Sequence, residues 1–250
     1  MKTTALLACI ILLAAPSFAQ RKSQIYKLPA GALVIETQPV KTDRALILWM
    51  LNPKRVPRDV PDEPYTCPEE TRGSYYSGAT RVTLVDTQTR RIINTVRITQ
   101  EYNEGADEFD LPYQIHSGSY YHVEGVATGR EGKPTIMWLR DYNGDGKALE
   151  FALFDALACM GLQTTLIGYS ERQDKVVQYP IRLVVEEKGK RSVEIRRWAD
   201  YLFSGKPKSA GYWRYEIDYS GRGGLLDKYE IRYNRRLERF EGSAVYMEVD

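Results

Sequence analysis

Histidine and cysteine are scarce: the 250 residues hold two histidines, His116 and His122, and three cysteines, Cys9, Cys67 and Cys159. No Gly-x-Ser-x-Gly elbow, His-Glu-x-x-His zinc helix, phosphate loop or dinucleotide fingerprint occurs. The local signatures of the common serine hydrolases, zinc peptidases and nucleotide-binding enzymes are therefore missing. The two histidines flank Gly118-Ser119, which reads as a hairpin tip. That tip sets His116 opposite Tyr121 and His122 opposite Ile115, on opposite faces of the sheet, so they make a poor zinc pair. Asn-x-Ser/Thr sequons are absent. Charge of one sign is lacking too, with 35 Lys and Arg against 33 Asp and Glu. Such a balance gives no electrostatic case for nucleic acid or a membrane surface.

Long hydrophobic runs are limited to one. Ala5 to Ala15 follows a short positive start and precedes Pro16-Ser17-Phe18-Ala19-Gln20. This is the layout of a secretory signal peptide, residues 1–19, cut after Ala19. The run is too short to span a bilayer, which needs about 20 apolar residues. A lipoprotein signal ending at Cys9 is the competing reading, but too few residues precede Cys9 to form its apolar core. The expected mature chain, 20–250, is secreted or periplasmic, with no transmembrane segment.

Export leaves Cys67 and Cys159. One disulfide between them would close a loop of about 90 residues, worth about 4–5 kcal/mol in the chain-entropy model. The alternative is two unlinked thiols, with Cys159 a small buried hydrophobe.

What is present is mainly β. The 43% hydrophobic content with 18 Tyr and 4 Trp is enough for a real core. Ala32 to Thr37 and Arg44 to Leu51 are β-rich. Prolines at 53, 57, 61, 64 and 68 exclude a helix or central strand over 52–68 and make it a surface loop or an extended arm. Arg81 to Asp86 and Arg91 to Ile98 form a hairpin around Asp86-Thr87-Gln88-Thr89. This turn resembles hairpins of bacterial β-propeller blades, but no second copy occurs and a propeller is not supported. Residues 148–160, rich in Ala, Leu and Met and followed by Gly161, predict one buried helix. Strands resume over 163–168, 175–186 and 192–203, with Pro180 marking an edge or bulge. Trp213, Tyr215, Ile217 and Tyr219 then alternate with Arg214, Glu216 and Asp218, and Tyr229, Ile231 and Tyr233 repeat the pattern. The expectation is a single β-rich domain of antiparallel sandwich or barrel-like sheets. Two sub-lobes, 20–140 and 161–250, would be joined by the helix and the loop before it.

That loop carries the chemistry. It reads Asp141-Tyr142-Asn143-Gly144-Asp145-Gly146-Lys147-Ala148-Leu149-Glu150. Calcium wants six to eight hard oxygens, and side chains at positions 1, 3 and 5 converge when a chain winds tightly around the ion. Gly at position 6 permits the turn and the carbonyl of position 7 then points inward. These roles fall to Asp141, Asn143, Asp145, Gly146 and Lys147. The decapeptide resembles the calcium loops of EF-hands, dockerins and FG-GAP/VCBS repeats. It departs from them at closure. The twelfth position of an EF-hand, a bidentate Glu, is Ala152 here, and the ninth, acidic in propeller-type loops, is Leu149. Glu150 at the tenth resembles the short loop of the bacterial excalibur family. The metal-free alternative is a polar Asn-Gly/Asp-Gly turn.

Asp218-Tyr219-Ser220-Gly221-Arg222-Gly223-Gly224-Leu225-Leu226-Asp227 matches the loop at the same spacing. Arg222 replaces Asp145, so this second loop is expected to be metal-free and held by the guanidinium. Chance similarity of two Gly-rich turns is the alternative. For function, two classes remain. One is a calcium-stabilised binding or structural module for an extracellular ligand, carbohydrate or protein, with Tyr75-Tyr76, Tyr120-Tyr121 and Trp213/Tyr215/Tyr219 as stacking surfaces or core. The other is a secreted glycan hydrolase using Glu69-Glu70 or Asp107, Glu108 and Asp110 as paired carboxylates. Arg232, Arg235, Arg236 and Arg239 read as a solvated basic face, or as a site for anionic head groups.

Overall fold

The structure is a computed structural model, and it describes residues 26–56, 71–72, 75–99, 108–111, 114–115, 136–157, 161–219 and 225–248. In chain order the strands are β1 (Ala32–Lys41), β2 (Arg44–Val56), β3 (Thr71–Arg72), β4 (Tyr75–Asp86), β5 (Ile92–Arg97), β6 (Glu108–Leu111), β7 (Gln114–Ile115) and β8 (Glu150–Leu157). Then follow β9 (Gly161–Ser170), β10 (Lys175–Gln178), β11 (Ile181–Glu187), β12 (Lys190–Arg196), β13 (Ala199–Asp200), β14 (Tyr212–Asp218), β15 (Leu226–Asn234) and β16 (Arg239–Met247). The fold is mainly β, as expected. No helix among the described residues is long and apolar enough to cross a membrane.

Three sheets make the body. The first runs β1-β2-β4-β5, with β6 beside β4. The second places β9 between β8 on one side and β10 and β13 on the other. The third runs β12-β11-β16-β15-β14 and is antiparallel except for the parallel pair β11–β16. One core cluster takes Leu46, Leu48 and Met50 from the first sheet, Phe151, Leu153 and Leu166 from the second, and Leu183, Ile231 and Phe240 from the third. Each such side chain contributes about 1.5–3 kcal/mol on burial. The opposite face of β2, with Ile47 and Trp49, packs a smaller cluster with Val34 and Val85. β2 is thus covered on both faces, which is why it reads as a continuous apolar run rather than an alternation.

The expected helix over 148–160 is replaced by strand β8. Glu150 through Phe154 are all buried, on both faces of the strand, and β8 pairs along its length with β9, Phe151 opposite Ile167 and Leu153 opposite Thr165. A strand buried on both sides has no period-2 signal, and its Ala and Leu content mimics a buried helix. Tertiary pairing overrides the propensity. A second correction concerns Pro53. β2 continues through it to Val56, by way of a register shift between Leu51 and Lys54 with Asn52 at φ 45°. The bulge removes the need for a ladder donor at that point. The 81–98 hairpin forms as expected, with Asp86 Oδ1 accepting from the N–H groups of Gln88 and Thr89 at 2.9 and 2.7 Å. Pro180 lies between β10 in the second sheet and β11 in the third, so it marks a crossing between sheets.

Side-chain amides stitch the first sheet to the second. Asn94 donates to Val176 C=O at 2.8 Å and accepts from Val176 N–H at 2.9 Å. Gln178 donates to Thr99 C=O at 3.0 Å and to Thr165 Oγ1 at 2.8 Å. Arg44 adds a charged link. Its guanidinium forks onto both oxygens of Asp174 at 3.0 and 2.9 Å and also reaches Asp43 and Asp86. Together with the Tyr169 hydroxyl it holds the Asp174 carboxyl down at about 2.

Candidate metal site

Loop 141–149 leaves the second sheet's edge and returns to it. Arg140 and Glu150 form a β-bridge, with Arg140 N–H bonding Glu150 C=O at 2.7 Å and the reverse bond at 3.2 Å. Inside this closure the chain winds around Asp141. Its Oδ1 accepts from the N–H groups of Gly144 and Asp145 at 2.7 and 3.0 Å, and its Oδ2 from Gly146 at 2.8 Å. Asn143 Oδ1 accepts from Asp145 N–H and Asp145 Oδ1 from Lys147 N–H, each at 2.8 Å. The turn requires left-handed backbone at Gly144 and Gly146, at φ 75° and 92°. These bonds wind the first half of the loop tightly.

The second half is set by Glu150. It is fully buried, and its carboxylate accepts from Tyr142 N–H at 3.1 Å and from Asn143 Nδ2 at 2.9 Å. Burial pushes this carboxyl up to about 8, and the negative charges of Asp145 and Asp141 add to the shift. The hydrogen bonds from Tyr142 and Asn143 offset this rise only in part. Gly168 provides the room for it, since a Cβ there would come within 2.7 Å of Glu150 Cγ.

Neighbouring elements clamp the loop. Tyr142 is buried, stacked 6.2 Å from Trp213 and edge-on 5.6 Å from Phe203. Gly144 lies against the backbone of Ala210 and Gly211, where an added Cβ would sit 2.5 Å from Ala210 C and Gly211 N. Arg235 donates to the Gly144 carbonyl, and Lys147 pairs with Glu171, which raises the Lys147 ammonium above its ordinary value. Sequence reasoning missed Tyr142, Gly211, Arg235 and Glu171. Only Tyr142 left a trace, as the Asp-Tyr step shared with Asp218-Tyr219.

The donor set of Asp141, Asn143, Asp145, the Lys147 carbonyl and Glu150 is all hard oxygen, which suits calcium. Asp141, Asn143, Asp145 and Lys147 lie in the loop, and Glu150 opens β8 at its closure. The loop does not gather their carboxylates: among the described residues no three His, Cys, Asp or Glu side chains converge as a metal group. Asn143 separates Glu150 from Asp145, lying 2.9 Å from the first and 3.4 Å from the second through Nδ2.

The second loop shares the closure. Ile217 pairs with Asp227 in the β14–β15 ladder, one residue before Asp218, just as Arg140 pairs with Glu150 one residue before Asp141. Asp227 is buried like Glu150. Arg222 lies outside the described residues. So do Cys67, Cys159, His116, His122, Tyr120, Tyr121, Glu69, Glu70 and Asp107. Glu108 and Asp110 stand on β6.

The aromatic face of β14 is core rather than platform. Trp213 is buried, and Tyr215 stacks on Tyr229 at 4.8 Å between centroids. Three of the four C-terminal arginines have partners within the chain: Arg232 lies 4.5 Å over the Tyr212 ring, Arg235 holds the loop and Arg239 pairs with Glu241. No protein-family model matches the chain, and no curated protein or solved structure matches it either.

Proposed function

We propose that the chain is an exported, mainly β binding or structural module whose loop 141–150 takes up calcium. The observation that carries this reading is the pairing of a backbone wound tightly on Asp141 with a fully buried Glu150 carboxylate at the loop's closure. Asp141, Asn143, Asp145, the Lys147 carbonyl and Glu150 would hold the ion. The ion would offset the negative charges of Asp141, Asp145 and Glu150, which the chain carries within ten residues. Its role there is structural. Tyr142 ties the loop to Phe203 and Trp213 of the core, so ordering the loop orders the surface around it. The ligand of the module is an extracellular carbohydrate or protein. Trp138, exposed three residues before the loop with the Arg140 guanidinium 4.5 Å from its ring, is an aromatic surface open to such a ligand.

Terbium luminescence tests the metal reading. Terbium replaces calcium on hard oxygen donors, and Tyr142 and Trp213 are sensitisers beside the loop. Saturable emission displaced by calcium, and lost in Asp145→Ala, supports the site. Emission unchanged by Asp145→Ala refutes it.

A further inference from the structure

β14 is an edge strand, pairing with β15 alone among the described strands. Bonds at its two ends fix the phase of its backbone. Tyr233 N–H bonds Gly211 C=O at 2.8 Å, and Tyr219 N–H bonds Leu225 C=O at 3.0 Å. Odd-numbered residues from 211 to 219 therefore turn their backbone groups toward β15. Tyr212 shows the alternation directly: its N–H and C=O face away and bond Ser209 C=O and Lys208 N–H, each at 2.9 Å. By the same antiparallel alternation, Arg214 and Glu216 present their N–H and C=O groups outward. A groove of about 370 Å³ follows this edge, between Tyr201–Lys206 and the consecutive residues Trp213–Asp218. Residues from both faces of a strand line one groove only where the groove tracks the backbone edge.

We propose that this edge is closed by β14 of a second copy of the chain, running antiparallel and centred on Tyr215. Three features of the strand match in that one register. Arg214 meets Glu216 of the second copy, and both carry outward backbone groups, so each exchanges N–H and C=O bonds with the other. The same pairing sets a guanidinium opposite a carboxylate, once on each side of the two-fold axis. On the inner face Trp213 meets Ile217 of the second copy, apolar against apolar. Behind the seam, Arg214 already pairs in register with Glu230, and Glu216 with Lys228. Charge sign thus alternates without a break from one copy into the other.

The seam is short, because the outward groups of Tyr212 are taken by the 208–212 turn. It falls below the size of a standard stable interface, so the dissociation constant is on the order of 10–100 µM. Sedimentation equilibrium up to roughly 500 µM spans that range. The wild type should pass from monomer to dimer with rising concentration. Arg214→Glu sets Glu against Glu twice and should weaken the dimer at least about tenfold. The quadruple variant R214E/E216R/K228E/E230R restores opposite charges both across the seam and between β14 and β15, and should restore the dimer. A wild type that stays monomeric throughout overturns the proposal, as does an R214E dimer of wild-type strength or a quadruple variant that stays monomeric. Amide exchange in dilute monomer separates the remaining occupant. Protection of the Arg214 and Glu216 N–H groups there would mean that the chain covers its own edge, and would also overturn it.

Discussion

Asn143 donates through Nδ2 to the Glu150 carboxylate at 2.9 Å, and that bond joins the first half of loop 141–150 to its closing acid. The amide occupies a place between Glu150 and Asp145 where a cation would bring both carboxylates inward. The loop's behaviour therefore depends on how rigidly its backbone is held around this contact.

Gly144 and Gly146 separate strain from clash. Both have positive φ, but a Cβ at Gly144 meets the Ala210–Gly211 backbone, whereas at Gly146 nothing lies within 4 Å. Gly144→Ala should cost about 3–4 kcal/mol and Gly146→Ala about 1 kcal/mol. Urea denaturation measures both. Equal costs would show that the loop does not press on the 210–211 backbone.

Gln178 is buried and bridges Thr99, two residues past β5 of the first sheet, to Thr165 of the second. Gln178→Ala leaves those groups without their partner and should destabilise the fold by about 2–3 kcal/mol. The same measurement on Asn94→Ala, where the contact is only partly buried, should show a smaller loss.

The Asp200 and Asp227 carboxyls stand at about 6, chiefly through burial, with the charge of Asp227 adding to the shift at Asp200. A folded-state value above the ordinary one near 3.9 means the folded chain binds more protons between about pH 4 and pH 6. The contribution of these groups to stability is therefore greatest below about pH 4 and falls as pH rises to 6. Asp227→Asn should match the wild type near pH 4 and exceed it by about 1–2 kcal/mol at pH 7. Denaturation midpoints at the two pH values check the sign. A variant less stable than wild type at pH 7 would mean that the Asp227 charge is compensated in the fold.

Much of the β-architecture was legible in the alternation of Trp213, Tyr215 and Ile217 and of Tyr229 and Ile231, because the third sheet has one dry face and one wet one. β8 was not legible. Glu150 to Phe154 are covered on both faces, so apolar content replaces periodicity and the composition suggests a helix. The winding of loop 141–150 was readable from Asp141, Asn143 and Gly146, because those residue types impose it locally. Its clamps were not, since Arg235 and Glu171 reach it from distant turns that no local pattern connects. The shared closure of the two loops, Arg140 with Glu150 and Ile217 with Asp227, adds a structural match to the spacing match in sequence.

The most direct measurement is a thermal melt in chelator and then in calcium, for the wild type beside Asp145→Ala. At a hundredfold excess over its dissociation constant, an ion bound only by the folded state adds about 2.7 kcal/mol. For a chain of this size that corresponds to a rise in melting temperature of about 5–10 °C. The wild type should show this rise and the variant none. A wild-type melt that calcium leaves unchanged would mean that loop 141–150 is a turn closed by Asn143 and Glu150 alone, with no metal.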